Sequence, residues 1–320
     1  MGRYLLRRLA ITVPILIGIT IVTFIMVNLA PGDPVAAMIN PETAAILGPD
    51  WVNQQRDKLG LNDPLPIRYV RWMSELVQGN LGYSMQDRQP IAEKIIDRIG
   101  PTLRLMITVQ LISLIIAVPI GIISALRQYS FLDYLVSVLG FAAISIPSFF
   151  LGLGGIYVFG LKLGWLPTAG MRTIGGDGSF WDAVHHLILP ATVLGLANAA
   201  PLIRYVRSSM LEVVRLDYVG VARAKGLSES AVVLRHAARN ALIPVITVVA
   251  LGLPAIVGGT VIIETIFAWP GMGQLAITAV RARDYPMIMA LNLIVAALIL
   301  ASNLLADVLY AVADPRIRYD

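Results

Sequence analysis

Few residues of this chain are of the types that carry out catalysis or bind metal ions. Its 320 residues include three histidines and no cysteine, which excludes disulfides, thiolate metal sites and cysteine nucleophiles. His185 and His186 could be considered as metal ligands, but adjacent residues on a helix do not face one another. The third histidine, His236, is predicted on the opposite side of a membrane. We therefore expect structural or interfacial roles for the histidines and no metal site.

The acidic residues do not suggest an active site either. Glu212, Asp217 and Glu229 could be imagined as an acid–base group, but they share a polar stretch with many arginines, so solvated charge is the simpler interpretation. The apolar runs hold no pair of acids and no Ser–Lys or Ser–His pair. The chain also lacks G-x-x-x-x-G-K-[ST], the loop that cradles the phosphates of ATP. We predict that it is not an enzyme and holds no cofactor.

The elements that position these residues are predicted to be membrane-spanning helices. The chain is 57% hydrophobic and 14% charged, whereas soluble domains carry about 25% charged residues. The net charge of +5 sits beside apolar runs, so it indicates a cytoplasmic membrane face and not nucleic-acid binding. The composition predicts an all-α polytopic membrane protein.

Six uncharged runs approach or exceed the roughly 20 residues that cross a bilayer. They are Leu9–Gly32, Leu105–Leu126, Tyr134–Leu161 (interrupted by Pro147), Leu187–Ile203, Ala241–Ile263 and Tyr285–Ala306. The first run is too long for the apolar part of a signal peptide, which has about 7–15 residues, so we expect a retained span. Asn28, Gln110, Asn198, Asn292 and Asn303 lie in the spans, where hydrogen bonds between helices are the default and pathway lining is the alternative.

The distribution of Lys and Arg predicts that both termini are cytoplasmic. With the N-terminus inside, the inner segments hold thirteen Lys or Arg and the two short outer loops hold four, as the positive-inside rule requires. The predicted regions are 1–32 (N-terminal tip and first span), 33–100 (extracytoplasmic helices), 101–314 (core with a cytoplasmic loop at 207–240) and 315–320 (cytoplasmic tail).

Two amphipathic helices are predicted in the outer region. Ile67 to Gln78 places Ile67, Val70 and Val77 on one apolar face. Pro90 to Ile99 forms a second short helix that ends before Pro101 and the next span.

The loop between spans four and five carries the densest basic charge of the chain. Its pattern predicts an elbow of two small helices, the first ending in a left-handed cap at Gly226 and the second beginning with Ser228 as N-cap. The apolar stripe of the second helix is predicted as Leu227, Ala231, Leu234, Ala238 and Leu242. Such an elbow suits a groove on another protein. The predicted interface residues are Asp217, Tyr218, Ala222, Arg223, Lys225, Gly226, Leu227, Ser228 and Glu229.

The end of span five is the second candidate site. Glu264 is followed by an aromatic Pro-Gly segment, and aromatic residues favour the membrane–water interface. We predict an outer turn over the mouth of a translocation pathway, formed by Glu264, Phe267, Trp269, Pro270 and Gly271. The alternative is that Glu264 caps the chain or pairs with Arg281 or Arg283.

The whole chain resembles the dipeptide, oligopeptide and nickel class of ABC importer permeases. The segments that carry the resemblance are RYLLRRL, LAPGDP, SIPSFFLGL, GWLPTAG, DYVGVARAKGLSESAVVLRHAARNALIPV, ETIFAWPGMGQL, RDYP and DVLYAVADPRIR. The resemblance implies a first permease subunit of the bacterial inner membrane with six spans. Its implied partners are a sister permease, two cytoplasmic ATPases that bind ATP and Mg, and an extracytoplasmic substrate-binding protein. The ATPases are expected to couple to this chain through the interface residues of the elbow.

Three classes of function follow from the sequence. An importer permease for peptides fits best, with a nickel-chelate importer of the same family as the alternative. An ion-coupled carrier should show ionisable residues at mid-membrane depth, and the six runs contain none. An intramembrane enzyme would need the paired groups that these runs lack.

Overall fold

The structure is a computed structural model that describes residues 2–29, 35, 41–58, 60–176 and 178–313. Residues 30–34, which include most of the LAPGDP motif, and the predicted tail at 315–320 lie outside the described residues. Residues 1–101 with 271–300 form one compact unit, and residues 102–270 with 301–320 form a second.

Helices make up almost all of the described chain. In order they are α1 (Gly2–Leu29), α2 (Pro41–Lys58), α3 (Leu65–Val77), α4 (Ile91–Leu126), α5 (Phe131–Ser145), α6 (Ser148–Gly155, continued by a π-helix at Ile156–Lys162), α7 (Phe180–Val214), α8 (Asp217–Ala224), α9 (Glu229–Ala231, a π-helix at Val232–Ala238, and Arg239–Ile266), α10 (Met272–Ala282) and α11 (Tyr285–Ala313).

The prediction of an all-α membrane protein is confirmed. Five helices of the described chain are long and apolar enough to cross a membrane, and the α5–α6 pair makes a sixth if it counts as one span. That pair is bent by 97° at Pro147, which has no N–H to continue the hydrogen bonds of α5. The third predicted span is therefore a bent pair of helices, as a broken span or a re-entrant loop would be.

Two predicted helix ends are wrong. No separate helix ends before Pro101, since α4 continues through it to Leu126. The residue before a proline normally avoids the helical region because its Cβ meets the proline ring, and Gly100 has no Cβ. The second elbow helix is not a separate small helix either, because Glu229 begins α9, which runs on through residue 266.

In the first unit, α3 packs on α1 through aromatic rings. Phe24 stacks on Trp72 with ring centroids 5.9 Å apart, and it meets Tyr69 edge to face at 5.4 Å. The predicted apolar face of Ile67, Val70 and Val77 is exposed instead. An aromatic ring buries more apolar area than a branched aliphatic side chain, so the aromatic side of α3 faces α1.

In the second unit, α4 and α7 approach closely. A Cβ on Gly121 of α4 would lie 2.7 Å from the side chain of Val206 on α7, so only glycine fits this crossing. Small residues permit such backbone approaches between membrane helices. The close contact brings the ends of α4 and α7 together beneath α8.

Candidate functional site

The short helix α8 is the centre of the site, and its ends follow from its sequence. It begins at Asp217 and carries Arg223 in its last turn, so each charge stabilises the end of the helix dipole near it. Gly226 follows with φ +77°, a conformation that disfavours every residue with a Cβ. The left-handed cap predicted from the sequence is confirmed.

One face of α8 rests on a buried core at the ends of the spans. Val219 and Ala222 are buried together with Ile122 of α4, Met210 of α7 and Val232 of α9. Ala222 is among the predicted interface residues, and this burial makes it an anchor of the helix instead. The other predicted residues of the elbow are exposed: Asp217, Tyr218, Arg223, Lys225, Gly226, Leu227, Ser228 and Glu229.

An ion pair closes the turn between α8 and α9. Arg223 Nη2 lies 2.7 Å from Glu229 Oε1, and Arg223 Nε lies 3.1 Å from Glu229 Oε2. The hydrogen bond with Glu229 raises the pKa of Arg223 above its ordinary value. Ser228 precedes α9 as predicted, but its side chain makes no capping hydrogen bond.

The buried face at the start of α9 differs from the predicted stripe. Val232, Val233, Ala237, Ala238 and Ala241 are buried, whereas Leu227 and Leu234 are exposed. The reason is the π-helix at Val232–Ala238, whose wider turn shifts the residues that share a face. Of the predicted stripe, Ala238 alone is fully buried.

Polar contacts tie the elbow to the spans. Asn240 Nδ2 on α9 donates to Tyr218 Oη on α8 at 2.9 Å. Ser209 Oγ on α7 donates to the carbonyl oxygen of Ala241 on α9 at 2.7 Å. The first bond joins α8 to α9, and the second joins α7 to α9.

A buried ion pair that sequence reasoning missed lies beside this core. Asp133 on α5 is 3% exposed and accepts from Arg207 Nε at 2.6 Å and from Arg207 Nη2 at 2.7 Å. Ser124 Oγ and the backbone N–H of Tyr129 also donate to this carboxylate. The sequence indicates this ion pair only through one acid and one arginine at the ends of consecutive apolar runs.

The segment after α9 forms the predicted turn, and its aromatic rings are inside the protein. Helix α9 ends at Ile266, and Ala268 has φ +46°. Phe267 and Trp269 are each 1% exposed, and the carbonyl oxygen of Phe267 accepts from the N–H of Gly170 at 2.7 Å. These rings complete a core with Leu105 and Ile263, and their position at the membrane–water interface stays a prediction.

Glu264 is fully buried in the second unit. Its Oε1 accepts from Thr102 Oγ1 at 2.7 Å, and its carbonyl oxygen accepts from the N–H of Trp269 at 2.8 Å. Nothing in the sequence singles out Thr102 as this partner. Pro270 is half-buried and Gly271 is buried. These contacts give Glu264 a role in fixing the turn.

The histidines have the structural contacts that were expected. His185 Nε2 lies 2.8 Å from the carbonyl oxygen of Trp165, and His186 Nδ1 lies 2.9 Å from that of Asp182. Within the described ranges, no three His, Asp or Glu side chains come close enough to hold a metal ion.

Five long apolar helices, a bent pair and an exposed elbow are features typical of the membrane subunit of a transporter. The family described as binding-protein-dependent transport system inner membrane component matches residues 117–319. Its N-terminal counterpart matches residues 1–106. The chain therefore belongs to this family of ABC-importer permeases, in which ATP hydrolysis is carried out by a separate subunit.

Relatives of full length support this assignment. The chain is 43% identical over 320 residues to the oligopeptide transport system permease protein AppB of Bacillus subtilis (strain 168), covering 100% of both. It is 39% identical over 334 residues to the dipeptide transport system permease protein DppB of Alkalihalophilus pseudofirmus, covering 99% of both. It is 40% identical over 319 residues to the glutathione transport system permease protein GsiC of Escherichia coli O6:H1, covering 100% of both.

A solved structure has the same fold. An inward-facing MetNI methionine ABC transporter chain superposes with a TM-score of 0.59 at 15% identity, covering 71% of this chain and 99% of that one. The likeness concerns the arrangement of helices alone.

Proposed function

We propose that this permease subunit carries peptides across the bacterial cytoplasmic membrane. The support is chemical as well as familial, because the relatives are named for oligopeptides, dipeptides and glutathione, and all three are peptides. The spans supply the pathway and the energy comes from ATP hydrolysed on partner subunits.

The proposed mechanism rests on the elbow, which is exposed on one face and buried on the other. Residues 217–229 expose a charged surface, while Val219 and Ala222 fix α8 to the core formed by α4, α7 and α9. In this proposal, two cytoplasmic ATPases bind the exposed surface of this elbow and the matching elbow of a sister permease. Their closure on ATP and Mg displaces α8, and the buried core passes that displacement to the spans.

The direction of insertion follows from charge. The elbow and the N-terminal arginines lie on the cytoplasmic side, since Lys and Arg concentrate there. Residues 33–100 and the turn at 264–271 then face outward, where an extracytoplasmic binding protein delivers its cargo. The turn bounds the mouth of the pathway through its backbone, and the carboxylate of Glu264 holds it in place.

The test is reconstitution of the permease with its sister subunit, ATPases and binding protein in lipid vesicles. We expect binding protein loaded with a short peptide to stimulate ATP hydrolysis and peptide uptake. Removing ATP should stop uptake, and an ionophore should not. Stimulation by a nickel chelate and not by any peptide would contradict the proposed substrate.

A further inference from the structure

A mainly apolar, partly open cavity lies among α4, α7 and α9 of the second unit. Its volume is about 540 Å³. This volume is typical of small-molecule sites, which occupy about 300–1,000 Å³. Leu202, Val248 and Val249 form apolar walls, and Gln110, Asn198 and Arg204 bring polar groups to the same space.

The amide of Gln110 is the first indication of a ligand. Its Nε2 atom is buried and has no hydrogen-bond partner among the described residues. A buried donor without a partner is unfavourable in a membrane protein, where lipid offers no acceptor. This donor makes none of the hydrogen bonds between helices that the sequence leads us to expect, and because Gln110 lines the cavity, a turn of its amide toward the cavity would bring the donor to a bound molecule.

The charge of Arg204 is the second, independent indication. Its guanidinium lies 6.0 Å from the ring centroid of Phe141, and it forms no ion pair with an acidic residue of the described chain. The nearby carboxylate of Asp133 is already bound to Arg207. Arg204 lies in α7 one residue beyond the uncharged run Leu187–Ile203 and lines the cavity, and a charged side chain of a spanning helix that lines a cavity marks a functional site.

The geometry points to a transient site in this cavity for the C-terminal carboxylate and last amide of a peptide in transit. The inference rests on the proposed function. The planar fork of an arginine binds a carboxylate with two parallel hydrogen bonds, and Arg204 supplies it. Gln110 and Asn198 supply amide groups that match the backbone of the peptide, while the valines of α9 contact its apolar side chains.

The experiment uses the reconstituted complex in vesicles, with trialanine and its C-terminal amide as probes. The concentration of each probe is adjusted until the binding protein is loaded equally with the acid and with the amide. Wild-type complex should take up the free acid faster than the amide. Arg204→Gln should lower uptake of the acid about tenfold, the usual loss when a charge-assisted bond is removed, and should abolish the discrimination. Arg204→Lys should keep part of the uptake of the acid and part of the discrimination between acid and amide.

Two further variants isolate the contribution of the Arg204 charge. Arg104→Gln removes an exposed arginine of α4 outside the cavity and should leave the acid-to-amide ratio unchanged. Gln110→Leu, which removes the buried donor, should reduce uptake of both probes and leave their ratio intact. If Arg204→Gln fails to assemble, uptake by Gln110→Leu tests the cavity in its place.

An unchanged acid-to-amide ratio in Arg204→Gln would overturn the inference while the proposed function stands. The inference would also be overturned if both cavity variants lost assembly with the sister permease but kept normal uptake per assembled complex. The cavity would then belong to the subunit interface. If wild-type complex takes up neither probe, the proposed function itself fails.

Discussion

Arg207 on α7 clasps Asp133 on α5 through two hydrogen bonds, at 2.6 Å and 2.7 Å. The Asp133 side chain is 4% exposed and that of Arg207 is 26% exposed. The pair joins α5, the first helix of the bent pair, to α7, the helix that leads into the elbow. It therefore holds these two helices together beside the core under α8.

Breaking this pair should cost stability. Arg207→Met leaves a buried carboxylate without its counter-ion, and such changes destabilise by about 3–5 kcal/mol. Thermal unfolding of the purified complex measures the loss. Asp133→Asn combined with Arg207→Met should recover at least about 1 kcal/mol, because no buried charge remains. Arg71→Met removes the exposed pair with Asp63 and should change stability by roughly 0–1 kcal/mol; equal losses in the two arginine variants would contradict a special role for Asp133.

The left-handed turn at Gly226 should be sensitive to any Cβ. No described atom lies within 4 Å of the position that a Cβ would occupy there, so the cost of Gly226→Ala is one of backbone conformation, about 1–2 kcal/mol. We expect weaker ligand-stimulated ATP hydrolysis, because the exit from α8 is displaced. Gly220→Ala is the matched control, since Gly220 lies inside α8 with open space beside it and alanine favours a helix by about 1 kcal/mol. The two changes should have opposite effects on stability. A similar loss of ligand-stimulated ATP hydrolysis in both variants would argue against the turn.

Arg223 should act on a partner and not only on Glu229. The pair is exposed, with side chains 40% and 61% accessible, and exposed ion pairs add little to stability, so Arg223→Glu should leave thermal unfolding nearly unchanged. Ligand-stimulated ATP hydrolysis and uptake should nevertheless fall, because the reversed charge opposes the ATPase surface. The exchange of Arg223→Glu with Glu229→Arg restores the pair within the chain. If that exchange also restores coupling, the proposed contact with the ATPase is wrong.

Glu264 should affect stability more than transport. Glu264→Gln weakens the bond that Thr102 donates in a buried site, a loss of about 1–3 kcal/mol. Thr102→Val should destabilise by a similar amount, whereas Thr102→Ser keeps the hydroxyl and should be close to wild type. Thermal unfolding gives the stability, and uptake is normalised to assembled complex. Normal stability with reduced uptake in Glu264→Gln would show instead that its charge acts on the cargo.

Features that depend on residue type and local order could be predicted from the amino-acid sequence. Long uncharged runs can cross a bilayer in few ways, so five helices long enough to span and the bent pair at Pro147 could be located from the sequence. Gly226 followed by Ser228 and Glu229 has one favourable local arrangement, so the end of α8 could be predicted as well. The lack of a phosphate-binding loop ruled out this route to ATP binding in the chain.

Which faces are buried and which charges meet depends on how the helices pack. The π-helix at Val232–Ala238 moves the buried face of α9, and a wider turn of this kind leaves no mark on the periodicity of the sequence. Asp133 and Arg207 are 74 residues apart, and Thr102 and Glu264 are 162 apart, so neither pair has a local signal. The unpaired donor of Gln110 could be recognised only after the neighbouring helices were in place, because hydrogen bonding between spans depends on their packing and not on their composition.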